Sequence, residues 1–332
     1  MTAKYQEVYR KSIKNPQEFW SEISKDIFWY KNPSKILNSN SPPFYKWYED
    51  GITNTCYNAV DLHVEEGKGK KLAIISHGLE GSSHRHYVVG MVKMLNRNGW
   101  DALAWNYRSC SGEINRQLRF YNSGTIDDLE FVIEHAVKTM PYQRIVLIGF
   151  SMGGNLSLVY LGNKGSRINS KIEKTVVFSV PCDLKASTWE LAKFTNKIYM
   201  RQFLKTLHQK IRAKMELMPG LINDDDYHLI KNFKDYDDRY TAPLHGFKNA
   251  EDYWSKCSSN QYIPEVKVPT LIVNALNDPF IADGCYPVKE TSNNKYVYLE
   301  MPGSGGHVGF IQFKKDKSYW SEERTIEFLE HN

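Results

Sequence analysis

The stretch RIVLIGFSMGGNLSLVYL, residues 144–161, constrains this chain more than any other part of it. Arg144–Ile148 is a short apolar run of the kind that forms a buried parallel strand, and Met152–Leu161 reads as a helix. Between them Gly149-Phe150-Ser151-Met152-Gly153 fits G-x-S-x-G. A strand that turns straight into a helix at this pattern is a nucleophile elbow: the turn is too tight for larger side chains, and it lifts the Ser151 hydroxyl above the carboxyl edge of a sheet. The pattern alone is common by chance, and its flanks give it meaning.

The elements on either side fit the same architecture. Strands are expected at Lys71–Ser76, Asp101–Trp105, Lys174–Ser179, Thr270–Ala275 and Lys295–Leu299. Helices are expected over Tyr87–Asn98, Thr125–Thr139 and, at the end, Ser321–His331. This order predicts the α/β class, with a mostly parallel, doubly wound sheet covered by helices. The alternation stops between Asp183 and Tyr262, where WELAKFTNKIYMRQFLKTLHQKIRAKMEL is amphipathic and basic. A helical cap over the site is the favoured reading of 183–262, and a membrane-surface helix is the alternative.

Composition narrows the function classes. At 332 residues the chain has room for one large domain or two small ones. Lys and Arg number 43 against 38 Asp and Glu, an excess too small and too dispersed for a nucleic-acid partner. No run approaches the ~18 apolar residues of a membrane span, which leaves only peripheral lipid contact open. The polar start is no secretory signal. The five cysteines are odd in number and lack C-x-x-C, so a reducing cytoplasm is the expected location. No phosphate loop, dinucleotide fingerprint or metal triad is visible, so no cofactor or metal is expected.

A serine hydroxyl needs a base, and the base needs an orienting acid. Asp278, in Asn277-Asp278-Pro279-Phe280, and His307, in Gly305-Gly306-His307-Val308-Gly309-Phe310, each follow an expected strand, in the order Ser, Asp, His. An oxyanion hole is expected from the backbone amides of Met152 and Leu79, the latter in the loop His77-Gly78-Leu79-Glu80-Gly81-Ser82. His77 is read as a brace for that loop rather than a second base. His84-Arg85-His86 is read as a solvent or cap contact. Cys110 has no evident base nearby, and Asp235–Arg239 is read as a solvated or capping cluster.

With these residues in hand, the chain from about Lys70 onward resembles the YheT-like branch of the α/β hydrolases, related to eukaryotic α/β-hydrolase-domain lipases and esterases. The stretches that carry the resemblance are HGLEGS (77–82), NYRSCSGEINR (106–116), YNSG (121–124), GFSMGGN (149–155), DDRYTAPLHGF (237–247), NDPF (277–280) and GGHVGF (305–310). The resemblance implies an α/β-hydrolase fold and a carboxylesterase-like activity on a small-molecule ester. By position it carries over Ser151 as nucleophile, Asp278 as acid and His307 as base.

Residues 1–69 depart from that family. They are expected to form one helix over Lys4–Ser24, then irregular chain, and they resemble the N-terminal region of acetyl-CoA synthetase. Tyr5, Asn15-Pro16, Phe19-Trp20, PPFYKW (42–47) and CYNAVDLHVE (56–65) carry this second resemblance. None of the adenylating core follows. The chain thus reads as a junction of two gene fragments near residue 69, by natural fusion or assembly error. The hydrolase sheet is expected to lack its usual first edge strands, with the prefix packed loosely on it. The leading expectation is a serine hydrolase of short- to medium-chain carboxylic esters. The alternatives are a non-catalytic binding protein of the same fold and an inactive fusion carrying a synthetase remnant. The Ser151–His307 separation discriminates the first alternative, and limited proteolysis of residues 1–69 tests the second.

Overall fold

A computed structural model describes residues 3–65, 71–139, 142–314 and 318–330. The chain divides into two compact units, Met1–Gly69 and Lys70–Asn332. The junction itself, residues 66–70, lies outside the described residues, as does the expected end of the last helix at His331.

The first unit has helices at Ala3–Lys14 and Pro16–Ile23, where one continuous helix was expected. Proline at the first position of the second helix has no N–H to continue the preceding turns, so the chain restarts at Asn15. The segment expected to be irregular instead contains an antiparallel pair, β1 (Leu37–Ser41) and β2 (Phe44–Trp47), around the Pro42-Pro43 turn. Aromatic rings meet across the unit, Trp20 with Trp47 and Trp29 with Tyr48, at centroid distances of 5.9 and 5.3 Å. Even so, Ser24 is the one buried residue among those described here.

The second unit is built on six parallel strands: β3 (Lys71–Ser76), β4 (Asp101–Trp105), β5 (Arg144–Phe150), β6 (Ile172–Phe178), β7 (Thr270–Val273) and β8 (Val297–Glu300). Their spatial order is β4-β3-β5-β6-β7-β8. Successive strand residues point to opposite faces, and both faces are covered, which is why the strands read as unbroken apolar runs. Ile74, Leu147, Val177 and Ile272 pack with Leu129, Ile133 and Leu156 on one side. Ile75, Ile148, Phe178 and Val273 pack with Met91, Leu95 and Leu329 on the other.

β4 forms one margin of this sheet, and among the described residues no strand pairs beyond it. Its Asp101 is exposed and its other residues are only half-buried, as befits an edge. β1 and β2 form a two-stranded sheet of their own. Between β6 and β7 the chain is helical, with Leu184–Ala192, Lys197–Leu217 and Ala250–Cys257 as its longest elements. In Lys197–Leu217 the buried positions Met200, Leu204, Leu207 and Ile211 recur every three or four residues, a single apolar stripe. None of the described helices is long and apolar enough to cross a membrane.

Candidate active site

The site forms where β5 ends. Ser151 sits between the strand and the helix Met152–Lys164 at φ 54°, a backbone region that side chains other than glycine rarely occupy. The two glycines of the motif have steric reasons to be there. A Cβ at Gly149 would lie 2.5 Å from the Gly153 carbonyl oxygen, and one at Gly153 would lie 2.3 Å from that of Ser76. The Ser151 amide donates to Phe178 O at 2.8 Å, which ties the turn to the neighbouring strand.

Three side chains from three loops meet here. Ser151 Oγ lies 2.9 Å from His307 Nε2, and His307 Nδ1 lies 2.9 and 3.0 Å from the two oxygens of Asp278. The Asp278 side chain is fully buried, and it also accepts the Phe280 amide at 2.9 Å. The loops brace one another. Asn277 Oδ1 accepts the amides of both Gly305 and Gly306, so the loop that carries the acid holds the loop that carries the histidine. Val308 donates to Ser179 Oγ at 2.9 Å. The Phe280 ring lies against the imidazole with centroids 4.4 Å apart. The Ser151–His307 separation is within hydrogen-bonding reach.

The Leu79 loop lies beside the serine. Gly78 donates its amide to Tyr87 Oη at 3.0 Å, and Gly81 closes the turn onto Gly78 O. Among the described residues no group pairs with the Leu79 amide or with that of Met152, the first residue of its helix. His77 Nδ1 lies 2.8 Å from Gly78 O, and its Nε2 accepts the Tyr107 amide at 3.4 Å. Burial lowers its pKa to about 4, so the ring stays neutral, donates from Nδ1 and braces the loop. His84 and His86 are exposed, while Arg85 donates to Glu80 O at 3.0 Å.

A cavity of about 400 Å³ opens on Ser151 and His307. Its walls are largely apolar and come mostly from the helical segment after β6, including Leu184, Leu191, Phe203, Leu207 and Phe233. Of the Asp235–Arg239 cluster, read as solvated or capping, Asp235 and Asp238 accept the Lys231 and Ala250 amides as caps do, whereas Asp237 faces the cavity and is not solvated. The carboxylate is buried and accepts Trp254 Nε1 at 2.8 Å. Desolvation raises its pKa to about 7, the charge of Asp238 adding to the rise while the Thr241 and Trp254 hydrogen bonds oppose it. The sequence reading did not foresee that Lys210 joins Glu80, Tyr121 and Cys110 beside the Leu79 loop. Lys210 Nζ donates to Glu80 Oε1 at 2.6 Å and to Cys110 Sγ at 3.1 Å, and Tyr121 Oη donates to Glu80 Oε1 at 2.5 Å. No motif pairs residues 80 and 210; only the helical stripe that carries Lys210 was visible.

Comparisons with known proteins divide along the same line as the structure. The family model of the acetyl-coenzyme A synthetase N-terminus matches residues 5–59, and that of the α/β hydrolase fold matches residues 74–314. YheT of Escherichia coli K12 is 30% identical over 267 residues, 80% of this chain and 78% of YheT. The monoacylglycerol lipase of Saccharomyces cerevisiae is 27% identical, over 80% of this chain and 60% of its own length. Phospholipase ABHD3 of Bos taurus is 28% identical, over 87% of this chain and 68% of its own. Among solved structures, an esterase of Pyrococcus furiosus shares the fold at a TM-score of 0.51 and 20% identity, over 79% of this chain and 82% of the esterase.

Proposed function

The chain belongs to the α/β hydrolase fold family, and from that premise we propose that it hydrolyses carboxylic esters by way of an acyl-enzyme on Ser151. The observation that supports this reading most is the unbroken hydrogen-bonded path from Ser151 through His307 to Asp278, at the mouth of a cavity large enough for an acyl chain. His307 Nε2 takes the hydroxyl proton as Ser151 Oγ attacks the ester carbonyl. Asp278 holds the ring and stabilises the imidazolium through Nδ1–H. The Leu79 and Met152 amides receive the negative charge that develops on the carbonyl oxygen. The alcohol leaves with the proton from His307. Water then gives a proton to His307, attacks the acyl-enzyme, and releases the acid and Ser151.

Relatives are named monoacylglycerol lipase and phospholipase, and a lipid-derived ester would suit the apolar walls of the cavity. We read the substrates as short- to medium-chain esters, residues 183–262 as the cap that shapes their pocket, and residues 1–69 as a synthetase-like prefix outside the chemistry. A fluorophosphonate probe tests the central claim: it should label the wild-type chain at Ser151 and leave Ser151→Ala unlabelled. An unlabelled wild type overturns the mechanism. A p-nitrophenyl ester series of increasing chain length, run on the full chain, tests the substrate reading. Rates that peak at long chains would contradict it.

A further inference from the structure

The helix Lys197–Leu217 sends two lysines, one turn apart, to different targets. Lys214 Nζ donates to Asn115 O, Asn115 Oδ1 and Gln117 O, at 2.5, 2.8 and 2.6 Å. That is a cation sunk into loop carbonyls, and a structural anchor explains it. Lys210 does something different. It pairs with Glu80 across 130 residues of chain, with both side chains mostly buried, 17% and 7% exposed, and it also lies over the Tyr121 ring.

Glu80 has a neighbour that matters. It follows Leu79, whose amide faces the reacting carbonyl in the mechanism above. Glu80 stands at φ 53°, a conformation a glutamate adopts only when its surroundings impose it. Those surroundings are visible. Tyr121 Oη accepts the Glu80 amide at 3.1 Å and donates to its carboxylate at 2.5 Å. Arg85 takes the Glu80 carbonyl, and Lys210 takes the carboxylate from the helical segment above. On the other side of Leu79, Gly78 is fixed by Tyr87. The Leu79 amide is therefore held between two anchored residues, and one anchor comes from a separate part of the fold.

We propose that Lys210 is a positioning residue for ester hydrolysis: through Glu80 it holds the Leu79 amide in the geometry that receives the oxyanion. This rests on the ester-hydrolase reading. It couples the seating of the cap helix to the rate of the chemical step, because a shifted helix would release Glu80 from its strained turn. A misplacement of about an ångström at such a donor is worth on the order of a hundredfold in rate.

The test uses the full chain with p-nitrophenyl butyrate, and Lys210→Met, Lys210→Arg, Tyr121→Phe and Lys214→Met variants. Lys210→Met should lower kcat by roughly tenfold to a hundredfold with KM within about twofold. A boronic acid, which mimics the tetrahedral adduct, should lose affinity by the same factor. Lys210→Arg should recover most of the rate, since the charge remains, and Tyr121→Phe should lose kcat in the same manner. Lys214→Met should lower the melting temperature and keep kcat near wild type. Unchanged kcat in Lys210→Met or Tyr121→Phe overturns the proposal, as does a loss confined to KM or an equal loss in the Met and Arg variants. If Lys210→Met does not fold, Tyr121→Phe and Lys210→Arg decide. Failure of the underlying reading looks different: the wild type itself would escape the fluorophosphonate, and this proposal would fall with it.

Discussion

The two units use the same kinds of residue to different ends. Residues 1–69 are dense in aromatics, yet Phe44 is 80% exposed and Trp20 37%. In residues 70–332, Phe150, Phe178 and Trp254 are buried almost completely. The difference lies in layering. A ring is buried when a second layer of secondary structure closes over it, and the second unit has helices on both faces of a sheet. Among its described residues the first unit has short helices at Ala3–Lys14 and Pro16–Ile23, a further helical stretch over Tyr57–Glu65, and a hairpin. It is held by ring edges and by polar bonds such as Tyr48 Oη to Trp20 O and Trp29 Nε1 to Ser24 O. Apolar composition supplies material for a core, and the stacking of elements decides whether a core forms.

If this contrast is right, disturbance should matter in proportion to burial and to nearness to Ser151. The largest effect is expected at Asp278. Asp278→Asn should lower kcat by about 10⁴ with the fold retained, read by ester hydrolysis alongside circular dichroism. A modest loss would mean that His307 does not depend on the buried carboxylate. Next comes Trp254, 2% exposed and bonded to Asp237. Trp254→Ala should cost about 3–5 kcal/mol in denaturant unfolding.

Asp237 offers a pH test. Its carboxyl is raised from 3.8 to about 7 in the folded chain. A raised folded pKa means that the folded state binds the extra proton. The stabilising contribution is therefore full below about pH 4 and is lost as pH rises through about 7. Asp237→Asn should remove this slope, so its stability relative to wild type should rise between those limits. An unchanged slope would mean that the carboxyl is paired or solvated after all. The smallest effect is expected in the first unit. Trp47→Ala should change local stability by about 1 kcal/mol or less and leave kcat unchanged, and amides of residues 3–65 should exchange with solvent faster than those of β3 and β5. Slow exchange there would give the prefix a core that its exposure denies.

Most of the second unit was legible because its signals are local. β3 and β4 match the expected spans at both ends, since apolar runs bounded by glycine and polar residues mark buried strands. Other boundaries moved by a turn or less. The helix expected from Thr125 begins at Asp127, because Asn122 Oδ1 takes the Gly124 and Thr125 amides into a turn first. The hairpin β1–β2 was missed because Pro42-Pro43 reads as a break, while the residues flanking it pair across it.

Sequence by itself determined the elbow around Ser151 and the order of Ser151, Asp278 and His307, which are written in neighbouring residues, turn chemistry and motif, and its likeness to a second family set residues 5–59 apart. Tertiary structure alone decided that Asp237 is buried against Trp254. It alone decided that Lys210 reaches Glu80 and Cys110. Those outcomes depend on which surfaces meet when distant segments pack, and no local pattern records the partner that a charged side chain will find 130 residues away.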